Sequence, residues 1–207
     1  MNDCISICTT SYNRSQYLAQ SLPTLAKIMR DDDELIIIDY ASTDGIEAVV
    51  KKAMGTKKYR LISEPGPFNF GKGMNRSMME SGGNIVFYTH TEILYPEGFL
   101  DELRVRTTEG SAFFPEFYWQ TKAGSSEANG KAIGLISIHR KDRKKVLWTE
   151  EVDGIPLCSD WMMWDGLITA GLVCCRRRVD GLIHIRHTTN QDVKKVRVKP
   201  LGWYRER

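Results

Sequence analysis

Four short apolar runs, separated by helical patterns, constrain the fold of this chain more than any other sequence feature. Apolar residues occupy most positions of these runs, which is typical of strands buried on both faces of a parallel sheet. The runs are Cys4–Thr9, Glu34–Asp39, Tyr59–Ile62 and Asn84–Tyr88. Their alternation with helices predicts an α/β fold, a Rossmann-like α/β/α sandwich whose central mixed sheet is mostly parallel.

The segments between these strands have helical periodicity. Asn13 is suited to cap a first helix that extends to about Arg30. Three further helices are predicted, at Gly45–Met54, Lys72–Ser81 and Pro96–Arg106. Gly82 and Gly83 end the third predicted helix.

The second half of the chain is patterned differently. It predicts strands, a polar loop and one helix: a strand at Ser111–Trp119, a loop at Lys122–Gly130, a strand at Lys131–His139, a helix at Ser159–Gly171 and a strand at Leu182–Arg186. We therefore expect a single domain over residues 1–192, with a nucleotide-binding half at 1–107 and an acceptor-binding half at 108–192. A basic tail, residues 193–207, follows.

Composition excludes several classes of protein. The net charge is +3, which is mild, and we expect no nucleic-acid partner. Five cysteines without paired spacing fit neither a disulfide framework nor a zinc site. Apolar runs are far shorter than the roughly 20 residues of a membrane helix, and no leader pattern opens the sequence. A soluble, cytoplasmic protein is the expectation.

Polar residues follow the predicted strands, at the sheet edge where ligands of parallel sheets bind. The carboxylate of Asp39 can accept the imide N–H of uracil, and groups near Thr9 and Thr10 can hold the base and ribose. The alternative reading makes Asp39 a turn residue and makes Asn13 and Asp44 helix caps. Lys72 stands among glycines at a helix start, where its charge and the helix N–H groups can meet a diphosphate. The alternative is a solvated lysine.

Four motifs, in order, resemble those of glycosyltransferase family 2. Residues 10–14 (TSYNR) resemble its TYNR, and residues 36–45 (IIIDYASTDG) resemble IVVDDGSTDG, with Tyr40 in place of the second Asp. Residues 68–75 (FNFGKGMN) resemble the FNRAKLLN segment of the beta-galactosyltransferase branch. Residues 159–172 (SDWMMWDGLITAGL) resemble the helix EDxDLWxRLxxAGL.

The resemblance implies a GT-A fold and transfer of a sugar from a nucleoside diphosphate sugar, most simply a UDP-sugar. The acceptor would be a hydroxyl of a glycan, glycoprotein or glycolipid. Asp160 stands at the position of the catalytic base, and one base with in-line attack implies inversion. The implied nucleotide-binding residues are Thr9, Thr10, Tyr12, Arg14, Asp39, Lys72 and Arg76.

One motif departs from the family. Its Asp-x-Asp, which holds a divalent cation, is replaced by Thr89-His90-Thr91, followed by Glu92. Three outcomes stay open. Glu92, with His187 and His90, can form a site that favours Mn²⁺ over Mg²⁺. Lys72, Arg76 or later basic residues can neutralise the diphosphate without metal. Or the domain has lost activity.

The two histidines of the last predicted strand are treated differently. His184 and His187 are three residues apart, and residues three apart on a strand face opposite sides. His187 lies at the end of the strand and is the expected ligand, so His184 is expected to be a packing or surface residue.

Two further readings stay open. A catalytically degenerate GT-A domain would act as a nucleotide- or carbohydrate-binding module. The basic tail could touch an anionic membrane, giving peripheral membrane contact, or the rest of a longer chain with further domains.

Overall fold

The computed structural model describes residues 3–121, 126–128, 134–145, 147–148 and 160–187, with the backbone alone described at 126–128 and 160–162. Nine strands and five α-helices are formed in this part of the chain. The strands are β1 (Ile5–Ser11), β2 (Glu34–Asp39), β3 (Tyr59–Ser63), β4 (Ile85–Tyr88), β5 (Ile93–Leu94), β6 (Ser111–Gln120), β7 (Ser126–Ala128), β8 (Ile136–His139) and β9 (Val173–His184). The helices are α1 (Ser15–Ile28), α2 (Ile46–Met54), α3 (Phe70–Glu80), α4 (Phe99–Arg106) and α5 (Asp160–Thr169).

One mixed sheet runs through the molecule in the order β3-β2-β1-β4-β8-β6-β9-β5, with β7 paired to β6. The first four strands are parallel, as the apolar runs predict. Strand β8 is antiparallel to both β4 and β6, whereas β6 and β9 are parallel to each other. The α/β architecture with a mixed sheet is therefore confirmed.

Helices cover both faces of the sheet. One apolar cluster packs α1, α2 and α4 on one face, around Leu22, Val50 and Leu103. The other cluster packs α3 and α5 on the opposite face, around Met74 and Leu167. Strand residues alternate between the clusters, with Ile37 in the first and Ile36 and Ile38 in the second, as the two-residue period requires.

Three expectations about elements are wrong. The last strand begins at Val173, well before Leu182, and ends at His184. Strand β7 lies inside the segment 122–130, which was expected to be a loop. Asn13 does not cap α1: it has a φ of 51°, and its side chain bonds to Thr43. The cause is a tertiary contact between two loops, which a local capping rule does not include.

The second half is described in part. The described portion of the predicted strand Lys131–His139 contains β8, at its end. The basic tail and Cys158 lie outside the described residues, whereas the other four cysteines are free thiols. Among the described residues, no helix is long and apolar enough to cross a membrane.

Candidate active site at the carboxyl edge of the sheet

Strand register brings three loops together at one edge of the sheet. Ser11, the last residue of β1, is level with Asp39, the last residue of β2, and Asp39 is level with Ser63 of β3. The loops that follow these strands therefore begin side by side. The edge is where α/β folds bind ligands.

Asp39 lies at this edge and is 7% exposed. Its carboxylate accepts hydrogen bonds from the backbone N–H of Ser42 at 3.1 Å and from the Ser42 hydroxyl at 2.5 Å. These bonds hold the carboxylate in place and still leave lone pairs for a ligand, since two carboxylate oxygens offer about four acceptor positions.

An open cleft of about 620 Å³ begins at Asp39. Its walls come from the loop after β2, the first turn of α2 and one side of β3 along its whole length. The lining residues are Asp39, Ser42, Thr43, Gly45, Ile46, Glu47, Tyr59, Leu61 and Ser63. The cleft is polar at Asp39 and apolar along Ile46 and Leu61, a mixture that suits a nucleoside.

The loops after β1 and β2 lock each other in position. Asn13 Oδ1 accepts from the N–H of Thr43 at 2.9 Å, and the N–H of Asn13 donates to the Ser42 hydroxyl at 2.8 Å. Asp44 Oδ2 accepts from the N–H of Ser15, the first residue of α1, at 2.7 Å. Asp44 thus caps α1 from a different loop. Asp44 is therefore a helix cap, as the alternative reading has it, whereas the prediction that Asn13 caps α1 is wrong.

Two hydroxyls at the end of β1 are buried beside this edge. Thr9 Oγ1 and Ser11 Oγ find no hydrogen-bond partner among the described residues. A buried hydroxyl without a partner costs about 1–3 kcal/mol, so such groups call for an explanation. Thr10 faces the other side, where its methyl group lies against α3 at Gly73.

Aromatic rings stand at the mouth of the site. Tyr12 and Phe68 are 42% and 41% exposed, and their rings lie nearly parallel with centroids 6.3 Å apart. Behind them Tyr40 is buried, meets Phe68 edge to face, and donates its hydroxyl to the Asn69 carbonyl at 2.7 Å. Tyr40, which replaces an Asp of the family motif, therefore fixes the loop that carries Phe68.

Lys72 and Arg76 both face one carboxylate. Lys72 Nζ lies 2.9 Å from Glu64 Oε1, and the Arg76 guanidinium pairs with Glu64 Oε2. Hydrogen bonds from these two cations lower the pKa of Glu64. Glu64, which sequence reasoning missed, directly follows β3. Any diphosphate bound by Lys72 and Arg76 must compete with it.

A second cluster lies at the other end of the same edge, beyond β4. Ligand atoms of Glu92, His184 and His187 are all within 4.8 Å of one another. Arg14 approaches the same carboxylate, with 3.4 Å between its NH1 and Glu92 Oε1, and its guanidinium lies over the Tyr17 ring. The structure thus brings Arg14, Glu92 and His187 together.

His184 belongs to this cluster, contrary to expectation. The alternation argument does not apply, because β9 ends at His184 and His187 lies beyond it. Burial lowers the pKa of the His184 imidazole from its ordinary value to about 3, with smaller contributions from His90 and His187. His90 has its ring 5.7 Å from that of His184 and is not a member of the cluster of ligand atoms.

The positions of the family's Asp-x-Asp have structural roles here. Thr89 Oγ1 lies 2.6 Å from the Tyr95 hydroxyl, and the Thr91 carbonyl accepts from Ser21 Oγ at 2.7 Å. Both threonines are buried. Asp160 begins α5, and its side chain lies outside the described residues.

Sequence reasoning missed several residues that the fold adds to the site: Ser42, Glu64, Phe68 and His184. Each lies close to a motif residue along the chain or across one strand pair. Ser42 and Phe68 carried a usable signal, since both are polar or aromatic residues within motifs already quoted, and His184 was considered beside His187. Glu64 carried none, because its partners are set by loop conformation.

Comparisons with known proteins identify what this geometry resembles. The sequence matches the family described as Glycosyl transferase family 2 over residues 6–146, about two thirds of the chain. No curated protein sequence matches the chain.

Three solved structures illustrate the likeness in fold. Residues 1–349 of S. aureus TarS in complex with UDP-GlcNAc match with a TM-score of 0.72 and 14% identity over 90% of this chain. The mannosyltransferase PcManGT from Pyrobaculum calidifontis, in complex with GDP-Man and Mn²⁺, matches with 0.70 and 14% over 93%. A mycobacterial protein matches with 0.65 and 16% over 92%.

These identities are low, so the likeness establishes the fold, which is the expected GT-A fold. The chain spans 59% of the length of the TarS and PcManGT chains, and 68% of the mycobacterial one.

Proposed function

Because the chain belongs to glycosyltransferase family 2, we propose that it transfers a sugar from a nucleoside diphosphate sugar to an acceptor hydroxyl. The observation that carries the proposal is the cleft that begins at Asp39, at the edge where the three parallel strands end. Two structural neighbours, TarS and PcManGT, are in complex with UDP-GlcNAc and with GDP-Man, which supports a nucleotide-sugar donor.

Asp39 reads the base in this proposal. Its carboxylate accepts the imide N–H of uracil, while Ser42 holds the carboxylate through two hydrogen bonds. Tyr12 offers an exposed ring against which a base can stack. The buried hydroxyls of Thr9 and Ser11 are candidates for contact with the nucleoside. A UDP-sugar is the donor we favour, in keeping with the likeness of residues 68–75 to the beta-galactosyltransferase branch.

Charge on the departing diphosphate is balanced at two places. Lys72 and Arg76 approach from α3, and Arg14 approaches from the start of α1. Glu92 and His187 fit a divalent cation, since one carboxylate and one imidazole are good ligands for Mn²⁺ and less suited to Mg²⁺. A cation held there supplies Lewis acidity to the leaving diphosphate.

Asp160 is the proposed general base. It removes the proton of the acceptor hydroxyl as that oxygen attacks the anomeric carbon, and the diphosphate leaves from the opposite face. A single displacement of this kind inverts the anomeric configuration. Support for Asp160 comes from its position at the start of α5, in the motif that resembles the family's base-bearing helix.

One observation favours a second candidate, a degenerate domain that binds nucleotide or carbohydrate without transfer. Thr89 and Thr91 stand where the family has its metal-binding Asp-x-Asp, and both are buried and hydrogen-bonded within the fold. If Glu92 and the histidines do not replace those acids as metal ligands, the domain would still bind nucleotide or carbohydrate but would not transfer the sugar.

Nucleotide preference tests the base-reading role. Asn in place of Asp39 presents an N–H where the carboxylate accepted one, so Asp39→Asn should weaken UDP binding about 10–100-fold, equivalent to about 1.5–3 kcal/mol. CDP should lose little, because N3 of cytosine accepts a hydrogen bond. Calorimetric titration with UDP and CDP measures both affinities, with Asp32→Asn as the exposed control.

A change in UDP affinity matched by an equal change for CDP would assign Asp39 to loop structure instead. Transfer is tested in parallel by release of UDP from a panel of UDP-sugars. Asp160→Asn should keep donor affinity and lose at least about 100-fold in turnover. Donor binding without turnover in the unmodified chain would favour the degenerate domain.

A further inference from the structure

The cluster of Glu92, His184 and His187 has the composition of a metal site with three protein ligands. We propose that His184, together with His187 and Glu92, forms a site for a divalent transition-metal ion that takes up the ion without nucleotide. The inference deepens the proposed function and rests on it for one point, that diphosphate oxygens fill the remaining coordination positions.

Spacing supports a shared ion. The ligand atoms of the three side chains lie within 4.8 Å of one another. Ligands about 2.1 Å from one ion are about 3–4 Å apart. Movements of about 1 Å in the ligand atoms, through rotation of the Glu92 and His187 side chains, close that difference. Two imidazoles and one carboxylate leave open positions on an octahedral ion.

The orientation of His184 suits ligation. Its Nδ1 lies 2.9 Å from the carbonyl oxygen of Ile185. That carbonyl can only accept, so Nδ1 carries the proton and Nε2 presents its lone pair. A backbone carbonyl that fixes the second ring nitrogen is the usual outer contact of a metal-binding histidine.

The fold holds the ligands before any ion arrives. The N–H of Ile185 donates to the Glu92 carbonyl at 2.7 Å, and His184 is level with Ile93 in the pairing of β5 and β9. The His184 ring packs against Trp119 at 4.1 Å between ring centroids. Backbone pairing thus ties the carboxylate-bearing segment to the imidazole-bearing strand. This is the rigidity that uptake without nucleotide requires.

Arg14 competes with a metal ion for the carboxylate of Glu92. Its guanidinium lies 3.4 Å from Glu92 Oε1, where it partly balances the carboxylate. A bound ion repels this guanidinium, and the long side chain can turn toward the diphosphate. Removing the guanidinium should therefore tighten metal binding without disturbing a buried ligand.

The ligand set also predicts which ion binds. Mg²⁺ prefers oxygen ligands and retains its water, whereas imidazole favours transition ions, with affinity rising from Mn²⁺ through Fe²⁺ to Co²⁺. Binding of Mg²⁺ in the absence of nucleotide should be weaker than that of Mn²⁺, and Co²⁺ should bind more tightly than either.

Histidine substitutions give the decisive experiment. The chain has four histidines, and His139 ends β8 at the opposite edge of the sheet, level with Ile85, the first residue of β4. Co²⁺ is titrated into the chelator-treated full chain without nucleotide, and its visible d–d absorption is recorded. One ion per chain should bind. His184→Ala and Glu92→Gln should each lower the affinity at least tenfold, while His139→Ala and His90→Ala should retain it.

Arg14→Ala gives a result that does not depend on a buried substitution, in case His184→Ala fails to fold. It should raise Co²⁺ affinity severalfold. The inference is overturned if the unmodified chain takes up no Co²⁺, if a folded His184→Ala retains the affinity of the unmodified chain, or if Arg14→Ala leaves the affinity unchanged or lower.

Titration with UDP in the presence of EDTA separates this inference from the proposed function. Nucleotide binding with no Co²⁺ uptake would refute the metal site and leave the function standing. Uptake of Co²⁺ with no binding of UDP, GDP or their sugars would keep the site and refute the function.

Discussion

Glu64 is a single carboxylate that faces two cations, Lys72 and Arg76, next to the proposed nucleotide cleft. It is 5% exposed, and it pairs with both Lys72 and Arg76. Its backbone N–H also donates to the carbonyl of Asp39 at 2.8 Å. In the proposed function this carboxylate sets the positive charge that a diphosphate meets, because it must be displaced or shared before either cation binds phosphate.

Substitution of Glu64 by Gln should strengthen diphosphate binding. The neutral amide no longer holds Lys72 and Arg76, so both cations are available to phosphate oxygens. Each charge-assisted hydrogen bond contributes about 1.5–3 kcal/mol, and sharing with water reduces the gain to a severalfold rise in UDP affinity at low salt. Uridine, which carries no phosphate, should bind Glu64→Gln and the unmodified chain equally.

Glu80→Gln is the matched control. Glu80 pairs with Arg60 near the end of α3, so this variant should change neither affinity. If Glu64→Gln leaves UDP affinity unchanged, or raises uridine and UDP affinity alike, Lys72 and Arg76 do not meet the diphosphate.

Residues at the ends of regular strands could be predicted from sequence, and residues placed by loop conformation could not. Asp39 was located because an apolar run of fixed length ends on it. For His184 the alternation along a strand misleads, because β9 ends at this residue and does not reach His187. The roles of the site residues themselves stay predictions. For Glu64 the sequence offered no signal, because its partners depend on how the loop before α3 turns.

Helix α3 is the element that joins the two parts of the proposed nucleotide site, the end of β2 at Asp39 and the cations Lys72 and Arg76. It starts after Asn69, whose side chain accepts from the N–H of Lys72 at 2.9 Å. Its first turn packs on the ends of β1 and β2. A Cβ atom at Gly73 would lie 2.5 Å from the Thr10 methyl carbon and 3.0 Å from the Tyr40 ring. Only glycine allows the helix this close to the sheet.

Substitution of Gly73 by Ala should push α3 away from the sheet. The added methyl overlaps a β-branched side chain that cannot rotate freely, so we expect a loss of about 1–3 kcal/mol in unfolding free energy. Nucleotide affinity should also fall, because Lys72 moves with the helix relative to Asp39. Urea unfolding and UDP titration measure the two effects.

Thr10→Ser on the Gly73→Ala background tests the cause. Serine lacks the methyl carbon that the new Cβ meets at 2.5 Å, so the double variant should recover part of the stability. If the losses of stability caused by Thr10→Ser alone and Gly73→Ala alone simply add in the double variant, the two residues do not touch, since contacting residues deviate from additivity.

The sequence predicted elements well where one structural period dominates. The four parallel strands and the helices between them lie within a few residues of their expected bounds, because buried strands have a continuous apolar pattern. For β9 the sequence predicted only a strand at Leu182–Arg186, because Arg176, Arg177 and Arg178 interrupt the apolar pattern before it. In the fold Glu116 of neighbouring β6 pairs with Arg176 and Arg178. Cross-strand ion pairs of this kind are invisible before the pairing is known.

At the scale of the whole molecule, the two edges of the sheet have different roles: the carboxyl edge, where the parallel strands end, and the amino edge, where they begin. The carboxyl edge holds the candidate site, with Asp39 at one end and Glu92 at the other. The amino edge holds buried ion pairs that secure the fold. There Asp33 accepts from the N–H groups of Ile5 and Arg30, and its carboxylate pairs with Arg104. One side chain thus joins the starts of β1 and β2 to α4.

Asp33→Asn should therefore destabilise the fold and leave the site unchanged. Asp33 is fully buried, and removing its charge leaves the Arg104 guanidinium, which is 9% exposed, short of its main partner. Breaking a buried pair costs about 3–5 kcal/mol, whereas Asp32→Asn on the surface should stay within about 0.5 kcal/mol. Because β2 separates Asp33 from Asp39 by about 20 Å, UDP affinity of the folded protein should be equal in both variants. Loss of affinity in Asp33→Asn at temperatures where circular dichroism shows it folded would mean that the two edges are coupled.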